Sequence, residues 1–251
     1  MKETIYTIPL TEAFNEKTEC PFCVIQNKLE QEAISFTLGN SYMQSDFRDI
    51  TDKLGFCSQH YKKLYDYGNR LGLSLILSTH YKSLYKCLDK LLNKNILPKS
   101  SFLERLKGSA PQTSTITEVM NNKINSCFIC DKIEKDINRY ISTFFYLLTT
   151  SDDFKKLFND SLGFCLPHFN EIIHQAPLYL NDKQKEEFYQ QSKTILLESM
   201  KRIQTDVEWF IDKNDYSNAD EPWKNSKDAI PRSIQKIAGI CPDIPIFKEN
   251  K

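Results

Sequence analysis

The sequence predicts an all-α fold: two tandem helical units, each pinned by a Cys3His metal site, plus a docked C-terminal tail. Three observations predict it. Valine is scarce and alternating strand patterns are weak, while Leu, Lys, Glu and Ile recur at three- and four-residue spacing, the period of a helix face. A unit of about 105 residues is written twice. Each copy also spells Cys-x-x-Cys and then Gly-Phe-Cys-x-x-His, as CPFC at 20–23 with GFCSQH at 55–60, and CFIC at 127–130 with GFCLPH at 163–168.

The elements follow in order. YTIPL near the start reads as extended. Helices are expected at about 22–38 and 47–54, then 58–94 with a bend near Gly68 and Gly72, where glycine weakens a helix. KGSAPQTSTIT, residues 107–117, is small, polar and carries Gly and Pro, so it marks the join between copies. The second copy predicts helices at 129–149, 153–161, 166–174 and 182–213. Pro177 delays the last of these, with Asn181 or Asp182 as its cap. The units are thus 1–106, 107–214 and a tail, 215–251, that holds four of the ten prolines. In the tail, Ser226 can cap a short helix ending at Gly239, Trp223 reads as a docking anchor, and IPIF reads as extended. Trp223, Asn225, Lys227, Asp228 and Arg232 together are polar enough to line a pocket.

The duplicated motif carries the chemistry. Cys20, Cys23, Cys57 and His60 in the first copy, and Cys127, Cys130, Cys165 and His168 in the second, each supply three thiolates and an imidazole, a full tetrahedral set for zinc. The gaps match, with 33 residues between Cys23 and Cys57 and 34 between Cys130 and Cys165. Gly55 and Gly163 suit the end of a return helix, Phe56 and Phe164 anchor the corner, and Cys and His share one face of the next first turn. Pairing within each copy is the simpler expectation, since each carries a full set; pairing across copies is the other arrangement. Four protein ligands leave no position for substrate, so such sites are structural. Two alternatives use the same residues: an iron–sulfur cluster, usually held by cysteines alone, and thiol redox chemistry, whose Cys-x-x-Cys normally follows a strand.

The remaining Cys and His residues lack ligand spacing. Cys87, among Leu84, Leu88 and Leu91, reads as a small core residue, and Cys241 as a packing residue. His80 and His174 read as satisfied or solvated.

Charge excludes several classes. Basic and acidic residues balance at 33 each, so no global field recruits nucleic acid or anionic lipid. Lys82, Lys86, Lys90 and Lys94 form a basic stripe, with Tyr81 and Tyr85 beside it. Nucleic-acid binding there is a weaker alternative to a solvated face, and the acidic stretch 206–221 could neutralise it within the chain or across a dimer. The longest apolar block, LGLSLIL at 71–77, is too short to span a bilayer, and the start lacks a signal-peptide stretch, so a soluble cytoplasmic protein is expected.

These motifs, with the tail EPWKNSKDAIPRSI, resemble an uncharacterised family of bacterial proteins from anaerobic Gram-positive lineages across nearly the whole chain. The resemblance implies a cytoplasmic bacterial origin and a metal-binding role for the eight motif residues. It brings no established activity. Some members carry transporter-related names, which no signal peptide, lipoprotein cysteine or spanning helix here supports. No nucleophile–base motif or phosphate loop is present, so the expected function is a zinc-stabilised binding or scaffold module. Its protein or small-molecule partner is undetermined. A thiol- or metal-dependent enzyme or sensor is the alternative.

Overall fold

The computed structural model describes residues 5–93 and 115–242, which hold eleven α-helices and no strand. The all-α expectation stands.

Helix α1, Thr7–Asn15, replaces the extended YTIPL. Pro9 is its third residue, where a first-turn N–H has no intrahelical partner, so proline forfeits nothing. Helix α2, Pro21–Leu38, opens on proline at its first position. Helix α3, Ser45–Leu54, ends on Gly55, whose N–H donates to the Thr51 carbonyl at 2.8 Å. Gly55 has φ 62°, and a Cβ there would lie 2.9 Å from His80 Cε1.

The helix expected over 58–94 divides at Gly68 (φ 97°) into α4, Ser58–Asp66, and α5, Arg70–Leu92. Asn69 caps α5 by accepting the Gly72 N–H at 2.9 Å, so Gly72 lies inside the helix and makes no bend. Lys94, most of the expected join and the IPIF segment fall outside the described residues. Helix α6, Thr115–Asn125, follows.

Helix α7 is Phe128–Thr150 and α8 is Asp152–Asn159, capped by Ser151. Helix α9 is Leu166–Gln175. Helix α10, Asp182–Lys213, starts on a capping box in which Asn181 and Gln184 satisfy each other's backbone N–H, as Asn181 led one to expect. Gly163 does not close α8 directly. It lies beyond the helix end with φ 76°, its N–H donating to Ser161 Oγ at 3.1 Å. Helix α11, Ala229–Ala238, stops on Gly239 in the left-handed conformation. Ser226 is not its side-chain cap; that hydroxyl is buried and donates to the Trp223 carbonyl at 2.7 Å.

The described chain forms two compact units that are not the two sequence copies. One comprises residues 1–29 and 135–251, the other residues 30–134. The division falls inside α2 and α7, so each unit takes part of both long helices.

The larger unit is built on phenylalanine. Phe14, Phe22, Phe144, Phe145, Phe158 and Phe164 are all essentially fully buried. Phe144 sits at the centre, its ring 5.5 Å from Phe158, 5.6 Å from Phe164 and 6.0 Å from Phe188, edge to face. The tail docks on this unit: α11 packs on α9 and α10, and Trp223 lies 5.7 Å from Phe210. In the smaller unit α3 packs on α5, and Phe47 and Phe56 meet Phe128 at 5.1 and 6.4 Å. The later half of α5 exposes Tyr81, Tyr85, Lys82, Lys86 and Lys90.

The fold makes one energetic prediction. Phe144→Ala removes the ring on which the larger core converges and should cost about 3–5 kcal/mol, read from urea unfolding midpoints.

Candidate metal centres

All eight motif residues come together, in two sets of four. Cys20, Cys23, Cys165 and His168 form one set in the larger unit, and Cys57, His60, Cys127 and Cys130 form the other in the smaller unit. Within each set the ligand atoms all lie within 4.8 Å of one another.

This corrects the expectation of pairing within each copy. Every set takes its Cys-x-x-Cys from one copy and its Cys-x-x-His from the other. Within each copy the outward and return helices are unequal. After Cys20 and Cys23 the chain runs out along α2, 18 residues or about 27 Å, and returns along α3, 10 residues or about 15 Å. After Cys127 and Cys130 it runs 23 residues along α7, about 35 Å, and returns only 8 along α8, about 12 Å. Neither return helix matches its outward leg in length.

Local structure presents the ligands. Cys20 precedes α2 and Cys23 lies in its first turn. Cys57 and Cys165 are the N-cap residues of α4 and α9, so His60 and His168 follow in the first turn on the same side. The two phenylalanines close each corner: Phe22 of one motif meets Phe164 of the other at 5.8 Å, and Phe128 meets Phe56. Phe22 also lies 5.7 Å from the His168 ring. A Cβ at Gly163 would meet Ile195 Cγ2 at 2.8 Å, so glycine lets the corner approach α10.

In both sets the histidine turns Nδ1 to the sulfurs. His168 Nδ1 is 3.1 Å from Cys165, 3.4 Å from Cys20 and 3.6 Å from Cys23. His60 Nδ1 is 3.2 Å from Cys57 and Cys127 and 3.3 Å from Cys130. The sulfurs of Cys23 and Cys165 are 3.5 Å apart, and those of Cys57 and Cys130 are 3.9 Å apart. A zinc tetrahedron with its usual bond lengths has edges of about 3.8 Å between sulfurs and about 3.6 Å from sulfur to nitrogen. The donor sets have the size and chemistry such an ion needs.

Electrostatics agrees. Hydrogen bonds from Cys20 and Cys23 hold the Cys165 thiol well below its ordinary pKa. Burial pushes the Cys127 thiol up, but the hydrogen bond to His60 outweighs it and brings the thiol down. The neighbouring thiols go the other way. Cys23 is driven up by hydrogen bonding to Cys165, and Cys130 by burial and by the charge on Cys127. Each cluster thus lowers one thiol, Cys165 or Cys127, and raises another, Cys23 or Cys130, so a cation is what would let those sulfurs ionise together.

The surroundings contain residues that motif spacing did not reveal. His60 Nε2 pairs with Glu30 Oε1 at 2.9 Å, and Lys63 holds the same carboxylate at 2.6 Å. This is the carboxylate–histidine arrangement that orients an imidazole ligand. Glu30 lies within α2, far along the chain from the GFCSQH motif, and no short-range pattern marks it. Around the other set the tail closes in. Lys236, buried in α11, donates to the carbonyls of Glu19 and Leu162 at 2.8 Å, bracing the chain beside Cys20 and Cys165. The Cys23 thiol lies 3.6 Å from the Gly239 carbonyl, and a Cβ at Gly239 would sit 3.3 Å from Cys165 Sγ. Cys241 is half-buried and hydrogen-bonds Cys23, a fourth thiol at this set.

The other singled-out residues stand apart. Cys87 is half-buried, not a core residue. His80 Nδ1 meets the Asp52 carbonyl at 3.2 Å, a satisfied histidine, and His174 is exposed.

These pKa shifts set a pH dependence for the metal-free protein. Both lowered thiols should be ionised at neutral pH. Thiolate ultraviolet absorbance should then fall as pH drops through about 6 for Cys127 and about 4 for Cys165, the thiolate being the form present above each value. Cys127→Ser should remove the step nearer neutrality alone.

No described helix is long and apolar enough to cross a membrane. No solved structure matches the chain. It is 24% identical over 209 residues to an uncharacterised 23.9 kDa protein in the xynA 3′ region of Caldicellulosiruptor sp. (strain Rt8B.4), covering 83% of this chain and 88% of that protein. A family model matches residues 1–244, and the chain therefore belongs to the family of unknown function DUF6062, an uncharacterised bacterial family with no established activity.

Proposed function

We propose that this chain is a structural zinc protein, binding one zinc in each Cys3His set through all eight motif residues, and that it acts as a binding or scaffold module. The observation that carries the reading is the pair of closed four-ligand sets at near-tetrahedral spacing. Three thiolates and an imidazole are soft donors, which suit zinc, and four protein ligands leave no open position for substrate.

Zinc here is a cross-link. Each ion would join segments over a hundred residues or about seventy residues apart, Cys20 to Cys165 and Cys57 to Cys127. Structural zinc contributes about 10–16 kcal/mol of apparent binding in small peptides near neutral pH, more than a domain's usual net stability. The ions would therefore hold the crossed topology in place. Cys241 beside Cys23 favours the second reading, thiol redox chemistry, because it puts four thiols at one set.

Elemental analysis of protein purified without an affinity metal separates the two. Two zincs per chain and unfolding on strong chelation support the structural reading. Iron, or a metal-free protein that keeps its fold and a reversible dithiol couple, supports the second. The sets should also differ in lability. In the smaller unit Cys57 is half-buried and Cys130 exposed, whereas all four ligands of the larger unit are buried. Chelator should strip the smaller unit's ion first. Glu30→Gln should weaken retention of that ion about tenfold, and leave the other unchanged, in a competition assay with a zinc indicator.

A further inference from the structure

The larger unit contains a cavity of about 540 Å³ that the metal sets do not use. It lies within the range of about 300–1,000 Å³ that accepts small molecules, but its wall is unlike an apolar pocket. Leu162 is the one aliphatic or aromatic side chain in it; five basic, two acidic and three neutral polar side chains line the rest.

The acids are already committed. Glu19, fully buried, takes Arg202 at 2.6 Å and Lys236 at 3.3 Å, and Asp228 takes Arg232 at 2.9 Å. Asp206, outside the wall, takes Arg232 at 3.0 Å. No carboxylate among the described residues pairs with Lys17 or Lys227, which remain exposed at the cavity. Donors are left over as well. Thr18 Oγ1 and Arg232 Nε are buried without a hydrogen-bond partner, a costly state unless something fills it, while Glu19 Oε2, also without a hydrogen bond, has the Lys236 ammonium 3.3 Å away.

The backbone carries a third sign. Lys17 (φ 49°) and Lys224 (φ 51°) are the two non-glycine residues with positive φ among those described, and both line this cavity. Side chains rarely adopt that conformation, and such outliers gather where a ligand is held. Lys224 also lies 3.4 Å over the Trp209 ring, which fixes where its ammonium sits.

We infer that this cavity is a binding site for a small phosphoryl-bearing anion, held by Lys17, Thr18, Arg202, Lys227 and Arg232. The carboxylates engage the two guanidinium groups, but the Lys17 and Lys227 ammonium groups, the Thr18 hydroxyl and Arg232 Nε remain as donors with no acceptor among the described residues. A phosphoryl group offers several acceptor oxygens and up to two charges. The volume leaves room for the rest of a phosphorylated metabolite beyond the anion itself. The site is independent of metal identity, since no proposed ligand side chain lines it.

Pyrophosphate is the probe, titrated into the full chain as purified and followed by calorimetry and tryptophan fluorescence. Trp209 and Trp223 are the chain's two tryptophans and both flank the tail segment, so occupancy should alter emission. Saturable binding is expected, with inorganic phosphate weaker and citrate weaker still. The double variant Lys17→Glu, Lys227→Glu changes exposed residues only and should melt as the parent does, yet raise Kd at least about tenfold. Three results would overturn the inference: neither heat nor emission change into the millimolar range, binding unchanged in the double variant, or citrate binding tighter than pyrophosphate.

Discussion

The structure depends on the crowding of three sulfurs and an imidazole nitrogen within 4.8 Å, twice over. Thiols at such spacing do not all ionise readily, because each thiolate raises the cost of the next. The protein alone resolves this by favouring the thiolate at Cys165 or Cys127 and disfavouring it at Cys23 or Cys130. A bound cation would remove the conflict, and side chains around the sets hold the donors in place. Phe22 with Phe164, and Phe128 with Phe56, close the corners from the apolar side. Glu30 holds the far nitrogen of His60 from the polar side.

The crossed pairing has consequences for folding. Each set draws its halves from segments distant in sequence, so neither unit can complete its core from one copy. Contacts of this separation are costly to close and favour slow, cooperative assembly. The phenylalanine core of the larger unit depends on the same closure: Phe22 arrives with Cys23, and Phe164 with Cys165. Packing and ligand placement therefore form together.

The C-terminal tail does two things with one helix. On one side α11 sets Lys236, Gly239 and Cys241 against the first ligand set. On the other it turns Arg232 and Asp228 towards a cationic cavity whose wall also includes Glu19, the residue before Cys20. Lys236 and Arg232 meet the same buried carboxylate, so the electrostatics of the cavity and of the chain leading into the ligand set are shared.

Much of this was legible before any coordinates. Ligand identity was readable because Cys-x-x-Cys and Cys-x-x-His are short motifs whose geometry is local. The helices with strong caps were readable for the same reason: Asn181 starts α10 and Gly239 ends α11 through bonds that span only a few residues. YTIPL misled because Pro9 suggests an extended chain unless one knows that it occupies a first turn. Other features had no local signature. Which Cys-x-x-His meets which Cys-x-x-Cys rests on the sum of helix lengths and turn directions over a hundred residues. Glu30, Lys236 and Cys241 reach their partners across even longer or equally unpatterned separations. Local chemistry is written in neighbouring residues and can be read from them; partnership between distant segments arises only when the whole chain has packed, because it depends on how helices far apart in sequence come together.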